Sequence, residues 1–166
     1  MALSIPLPTQ ESDMLHLELV FINLQARDRE EALSFLAQRM AALGVVSPDF
    51  PAAVLAREKA FPTGLQMPEA ALALPHTETR FVLQPALAAA VLAEPVEFIA
   101  MGTEMQRLPV RLIFMPAVLH PDDQIQWLYR LMTVCQTPGF LPRLLQSPDR
   151  ASFLGFLRAA LNAVPR

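Results

Sequence analysis

Arg57-Glu58-Lys59-Ala60-Phe61-Pro62-Thr63-Gly64 is followed, after a spacer, by Ala71-Leu72-Ala73-Leu74-Pro75-His76-Thr77-Glu78. The second segment is a short apolar run that stops at a proline and presents a histidine beyond the end of a strand. Hydroxyl and carboxylate side chains come directly after it. Neutral imidazole is a nitrogen nucleophile near pH 7, and a strand end holds it in one orientation with one ring nitrogen free. A lone histidine in such a place is more often a surface residue or a satisfied core residue, so the neighbours decide the reading. Upstream, a helix over residues 47–59 starts at Ser47, which caps it ahead of Pro48, and carries Arg57 in its last turn. Pro62 and Gly64 then stop the helix and turn the chain, which puts Arg57 and Thr63 on either side of a bend close to the next strands.

Outward from this centre, hydrophobic spacing divides the chain into short elements. Residues 16–23 alternate as a strand, with His16 pointing outward. From Asp28 the period becomes helical: Ala32, Phe35, Leu36, Arg39, Met40 and Leu43 share one face, acidic residues fill the first turn, and Gly44 ends the helix as a left-handed cap. Downstream, residues 86–93 form an uncharged apolar run that suits a strand covered on both faces. Pro95 breaks it before a short segment at 96–98, and residues 101–103 turn the chain. Residues 110–115 read as another buried strand, ended by Pro116. The spacing of Ile125, Leu128, Leu131 and Met132 indicates a helix over 121–136, with Asp122 and Asp123 in its first turn. Two more helices follow at 138–145 and 149–163, the second burying Phe153, Phe156, Leu157 and Leu161. The pattern predicts an α/β fold, an αβα sandwich with helices on both faces of a sheet. Residues 1–13 read as a flexible tail and 14–166 as a single domain.

Composition bounds what such a fold does. The chain has 166 residues, enough for one domain with a substantial core and too few to expect two. Hydrophobic residues make up 53% and charged residues 17%, so disorder is not expected. A net charge of −3, without a basic block, gives no footprint for nucleic acid. The single cysteine, Cys135, allows neither an intrachain disulfide nor a thiolate zinc cluster. No signal peptide and no apolar run of spanning length is visible, so the expectation is a cytoplasmic protein without direct membrane insertion. The 16 prolines against 5 glycines fit many short elements with firm stops.

Other chemistries find less support. His16, His76 and His120 lie far apart with no metal-binding spacing, so neither a metal nor a cofactor is expected. Cys135 sits among Leu131, Met132 and Val134 on a helix and reads as a small core hydrophobe rather than a nucleophile. No glycine-rich phosphate loop is present, so any phosphoryl group must arrive already activated. Phosphoryl transfer needs in-line access, a nucleophilic nitrogen in the right tautomer, and donors for the equatorial oxygens. The candidates are His76 as nucleophile, Arg57 as cation, and Thr63 or backbone N–H groups as neutral donors. Arg57 reads equally as a solvated charge that the helix dipole favours.

The order R-E-K-x-F-P-T-G, then A-L-A-L-P-H-T-E, resembles the mannitol/fructose-type enzyme IIA domain of the bacterial sugar phosphotransferase system, whose pattern runs close to R-E-x-x-x-P-T-G-L and I-A-I-P-H. The likeness covers most of the chain. It implies a mixed sheet with the active histidine at a strand end. It also implies a cycle in which His76 takes a phosphoryl group from the phosphohistidine of the carrier HPr, or a related carrier domain, and passes it to a cysteine of enzyme IIB. The sugar itself would not be bound. The F-P-T-G form and the A-L-A-L-P-H segment lean towards galactitol-type members. Many members place a second histidine at the start of the helix after the last buried strand; aligning Ile125 and Gln126 with the pair after that histidine puts Gln124 in its place, one helical turn after His120. Gln124 is therefore expected to act as a neutral amide donor to the site, and His120 is the competing candidate. A regulatory phosphoprotein using the same His76, without a IIB acceptor, is the alternative function, and a purely structural interaction module is a third.

Overall fold

Ala86–Ile99 (β4) is the long strand around which the sheet is assembled in a computed structural model that describes residues 11–165. Parallel to it on one side runs Leu15–Leu24 (β1), and antiparallel on the other runs Arg107–Ala117 (β5). Ala71–Ala73 (β3) pairs parallel to β5, and Gly64–Gln66 (β2) closes the edge antiparallel to β3. The order is β1-β4-β5-β3-β2, a mixed five-stranded sheet.

Successive strand residues point to opposite faces, and both faces of this sheet are covered. Ala86, Ala88, Ala90 and Leu92 of β4 join one core with Arg29–Leu43 (α2) and Phe50–Ala60 (α3). Leu87, Ala89 and Val91 join a second core with Pro121–Cys135 (α4), Phe140–Leu145 (α5) and Arg150–Ala163 (α6). The alternating alanines leave room for the larger Leu33, Leu36 and Met40 of α2. Helices on both faces of a mixed sheet are the predicted αβα sandwich. Among the described residues, no helix is long and apolar enough to cross a membrane.

Gly44 closes α2 as predicted, whereas Asp28 and Asp149, read from the sequence only as the opening residues of their helices, stand just outside them as capping residues. The Asp28 carboxylate accepts the Glu31 N–H at the start of α2, and Gly44 ends that helix at φ 81°. Asp149 caps α6 through the Ser152 N–H. Other expectations are corrected. Residues 11–13 of the expected tail lie in a helical turn, Glu11–Met14 (α1), while residues 1–10 lie outside the described residues. Ser47 does not cap α3, which begins at Phe50; the Ser47 N–H goes instead to the Phe81 carbonyl at 2.8 Å. Pro95 does not end its strand. Between the pairs Val91–Leu112 and Val96–Val110, β4 carries more residues than β5, so the proline, which has no N–H to donate, sits in a bulge. The Arg111 guanidinium donates to the carbonyl of Leu92 there, at 3.2 and 3.3 Å. Pro116 likewise lies within β5, beyond the two residues that β3 pairs. On α2, α4 and α6 the buried faces are rotated from those read off spacing: Phe35 and Phe156 are only partly buried, and Leu43 and Ile125 are exposed, while Leu33, Trp127 and Leu154 are buried.

Gly64 has a different task from the predicted turn. It opens β2, and a Cβ there would lie 2.6 Å from the Ile99 carbonyl oxygen, so glycine is needed for close approach of two backbones.

Candidate active site

The two parallel strands β3 and β5 point the same way, and both lead into the site. β3 ends and the chain passes through Leu74 and Pro75 to His76; β5 ends and leads through His120 to the amino end of α4. Ligand sites in open α/β sheets gather at such carboxyl ends. The antiparallel pairing of Gly64 with Ala73 brings Thr63, just before β2, beside Leu74, just after β3. The end of α3 and its Arg57 are thereby delivered to His76. An open cleft of about 350 Å³ results, lined by Arg57, His76, residues 77–79, Arg80, Pro121 and Gln124.

His76 is half-buried, and its Nδ1 lies 2.7 Å from the Leu74 carbonyl oxygen. A carbonyl only accepts, so Nδ1 carries the proton and Nε2 carries the lone pair. Burial holds the imidazole below the usual histidine range, the Leu74 carbonyl opposes this by stabilising the protonated ring, and the Arg57 charge adds to the lowering. The ring is therefore neutral and nucleophilic at neutral pH. Arg57 is exposed, with its guanidinium over the Phe61 ring at 4.2 Å, a stacking that limits where the charge swings.

Thr63 is placed differently from expectation. It is 3% exposed and does not line the cleft. Its hydroxyl donates to Glu58 Oε2 at 2.8 Å, its N–H donates to Glu58 Oε1 at 2.9 Å, and its Oγ1 accepts from the Leu74 N–H at 3.2 Å. Thr63 is thus bonded to Leu74, the residue whose carbonyl meets His76. Gln124 reaches the cleft, and its side-chain amide donates to the Thr77 carbonyl across a long 3.4 Å. His120 is the exposed N-cap residue of α4, makes no side-chain capping bond and does not line the cleft. His16 lies on β1, with β4 and β5 between it and β3; its Nε2 sits near the carbonyls of Asp13 and Pro85, at 3.1 and 3.3 Å. Cys135 is buried in the second core, where desolvation pushes its thiol up to about 12. Among the described residues, no group of three or more His, Cys, Asp or Glu is placed to hold a metal ion.

Two residues were not singled out from the sequence. Arg80 lines the cleft, paired with Glu78 at 2.7 Å and stacked over Phe81 at 4.3 Å. Glu58 is 5% exposed beneath Thr63, and burial pushes its carboxyl up to about 7 against the opposing hydrogen bonds from Thr63. A signal for Glu58 was present: a carboxylate in the last turn of a helix opposes the dipole, and such a residue needs another reason to be there.

The family profile described as phosphoenolpyruvate-dependent sugar phosphotransferase system, EIIA 2, matches residues 13–160. The galactitol-specific EIIA component of Escherichia coli (strain K12) is 30% identical over 122 residues, 74% of this chain and 81% of that protein. The transcriptional regulator ManR of Bacillus subtilis (strain 168) is 31% identical over 141 residues, 84% of this chain but only 20% of ManR. Among solved structures, a chain of the complex of enzyme IIAMTL with phosphorylated enzyme IIBMTL from Escherichia coli superposes with a TM-score of 0.73 at 26% identity, covering 87% of this chain and 97% of that one. Profile, sequence relatives and fold agree: the chain belongs to the EIIA type 2 family of the phosphoenolpyruvate-dependent sugar phosphotransferase system.

Proposed function

We propose that the protein is a phosphoryl carrier that accepts a phosphoryl group on His76 Nε2 from a phosphohistidine donor of the HPr type and passes it to a cysteine of an enzyme IIB partner. The observation that carries this is the bond from His76 Nδ1 to the Leu74 carbonyl, which assigns the lone pair to Nε2 in a cleft flanked by arginine. In the first step Nε2 attacks phosphorus, the P–N bond to the donor breaks, and the electron pair returns to the donor's imidazole. In the second, a thiolate of the partner attacks, and the pair returns to His76. Little covalent chemistry is asked of the protein, so rate depends on position and charge. Arg57 neutralises the equatorial oxygens, Gln124 offers a neutral amide donor, and the amino end of α4 adds the positive end of its dipole.

A IIB partner is supported by the likeness to a IIA chain solved with phosphorylated enzyme IIB, and a role in galactitol or related polyol uptake by the galactitol-specific relative. Such a carrier works in the cytoplasm. The second reading, a regulatory phosphoprotein, is favoured by the ManR match, in which a domain of this kind occupies 20% of a transcriptional regulator.

The test is labelling by phosphorylated HPr followed by incubation with enzyme IIB domains. Label is expected on His76 alone, lost in acid and kept in alkali, and chased onto a IIB cysteine. A His76→Ala variant that still accepts label, or label that is acid-stable, overturns the carrier assignment. Label on His76 that no IIB accepts supports the regulatory reading.

A further inference from the structure

We propose that Glu58 and Thr63 are positioning residues for the nucleophile: the buried carboxylate orients the Thr63 hydroxyl, the hydroxyl anchors Leu74, and the Leu74 carbonyl holds the His76 ring with Nε2 free. The inference rests on the carrier reading for its importance, but its geometry stands independently.

The chain of contacts is continuous. Glu58 accepts both the N–H and the O–H of Thr63, one on each oxygen, at 2.9 and 2.8 Å. With its proton committed to Glu58, the Thr63 oxygen turns a lone pair to the Leu74 N–H at 3.2 Å. Without that orientation the hydroxyl is free to rotate, and Leu74 keeps only a 3.4 Å bond to the Thr63 carbonyl. Leu74 precedes Pro75, so its backbone is confined to extended conformations, while the ring of Pro75 fixes the next φ. Anchoring the Leu74 N–H therefore fixes where its carbonyl points, and that carbonyl meets His76 Nδ1 at 2.7 Å.

Burial makes the arrangement specific. Glu58 and Thr63 are 5% and 3% exposed, so water does not replace a lost partner there. A buried carboxylate is costly unless its oxygens are satisfied, and Thr63 supplies a donor to each of them. Neither residue lines the cleft, so they act through Leu74 rather than on the phosphoryl group.

The readout is the His76 tautomer, followed by ring-nitrogen NMR of 15N-histidine-labelled, unphosphorylated protein at pH 8, with His76→Ala to assign the signals. Wild type is expected to show protonated Nδ1 and unprotonated Nε2. Thr63→Val, which keeps shape but removes the hydroxyl, should shift His76 towards the Nε2–H form and slow phosphoryl acceptance about tenfold, the rate equivalent of one ordinary hydrogen bond. Thr63→Ser should restore both to within about twofold, and Glu58→Gln should fall between, since its amide presents one acceptor instead of two. Folded Thr63→Val and Glu58→Gln proteins whose His76 signals match wild type overturn the inference. Because the tautomer is read without any donor, failure of the carrier assignment leaves this result separately legible.

Discussion

Replacing Gly64 by alanine tests whether the site depends on the close approach of β2 to the end of β4. The added Cβ would lie 2.6 Å from the Ile99 carbonyl oxygen and 3.1 Å from its carbon, where ordinary contact begins at 3.4 Å. The backbones must therefore part by about 0.8 Å, a distance set by that 2.6 Å contact. The obstacle is not a side chain that swings away. Ile99 is held by pairing with Arg107, and the Met101 N–H donates to the Gly64 carbonyl at 2.7 Å. Overpacking against a fixed neighbour costs about 1–3 kcal/mol. At about 2–4 °C per kcal/mol for a chain of this size, the melting temperature should fall by about 2–12 °C. Gly155 is the matched control: it lies within α6, is exposed, and a Cβ there meets nothing within 4 Å. Gly155→Ala should raise stability by about 0.5–1 kcal/mol, as expected for glycine in a helix interior. Urea unfolding followed by circular dichroism measures both. Gly64→Ala should also slow acceptance at His76, because Thr63 and Leu74 move with the strand. A Gly64→Ala midpoint equal to or above wild type would falsify the close-approach account.

Arg57→Ala should slow transfer by at least about tenfold, the lower range of a charge-assisted contact, while leaving circular dichroism unchanged; equal rates would return Arg57 to a solvated charge. Gln124→Ala should lower the rate and His120→Ala should not, since only Gln124 lines the cleft; transfer assays on the two variants decide between them, and the reverse order would indicate a two-histidine site. Glu58 is pushed up to about 7 in the fold from a reference of 4.5, so the folded chain holds a proton that the unfolded chain releases between those values. Its stabilisation is full below about pH 4.5 and is lost as pH rises towards about 7, by up to roughly 3 kcal/mol. The stability of wild type relative to Glu58→Gln should fall across that window in urea titrations at stepped pH, and a flat difference would contradict the burial argument.

What could be determined from the sequence alone was whatever acts between near neighbours. Asp28 and Asp149 mark where α2 and α6 begin, Gly44 ends α2 by taking a left-handed φ, and the proline after Leu74 closes the apolar run ahead of His76; each effect is complete within one turn of chain. The uncharged apolar run at 86–93 likewise announces a strand with two covered faces. The motif spacing around Arg57 and His76 carried the family.

Only the tertiary structure decided which neighbours a residue meets across the sheet. Pro95 and Pro116 read locally as stops, yet both stay within strands, because a bulge and the shortness of β3 remove the partners their missing N–H groups would need. Helix spacing alone could not say that Trp127 would be buried and Ile125 exposed, because the direction of a helix face depends on where the sheet lies. Thr63 was legible as a residue at the bend before the next strands, but its contacts were not: pairing of β2 with β3 puts its oxygen on Leu74, and the end of α3 puts Glu58 beneath it. Gln124 approaches His76 from 48 positions along the chain by way of Thr77. Such contacts have no local signature, since they follow from strand order, and strand order is set by the sum of burial over both faces of the sheet.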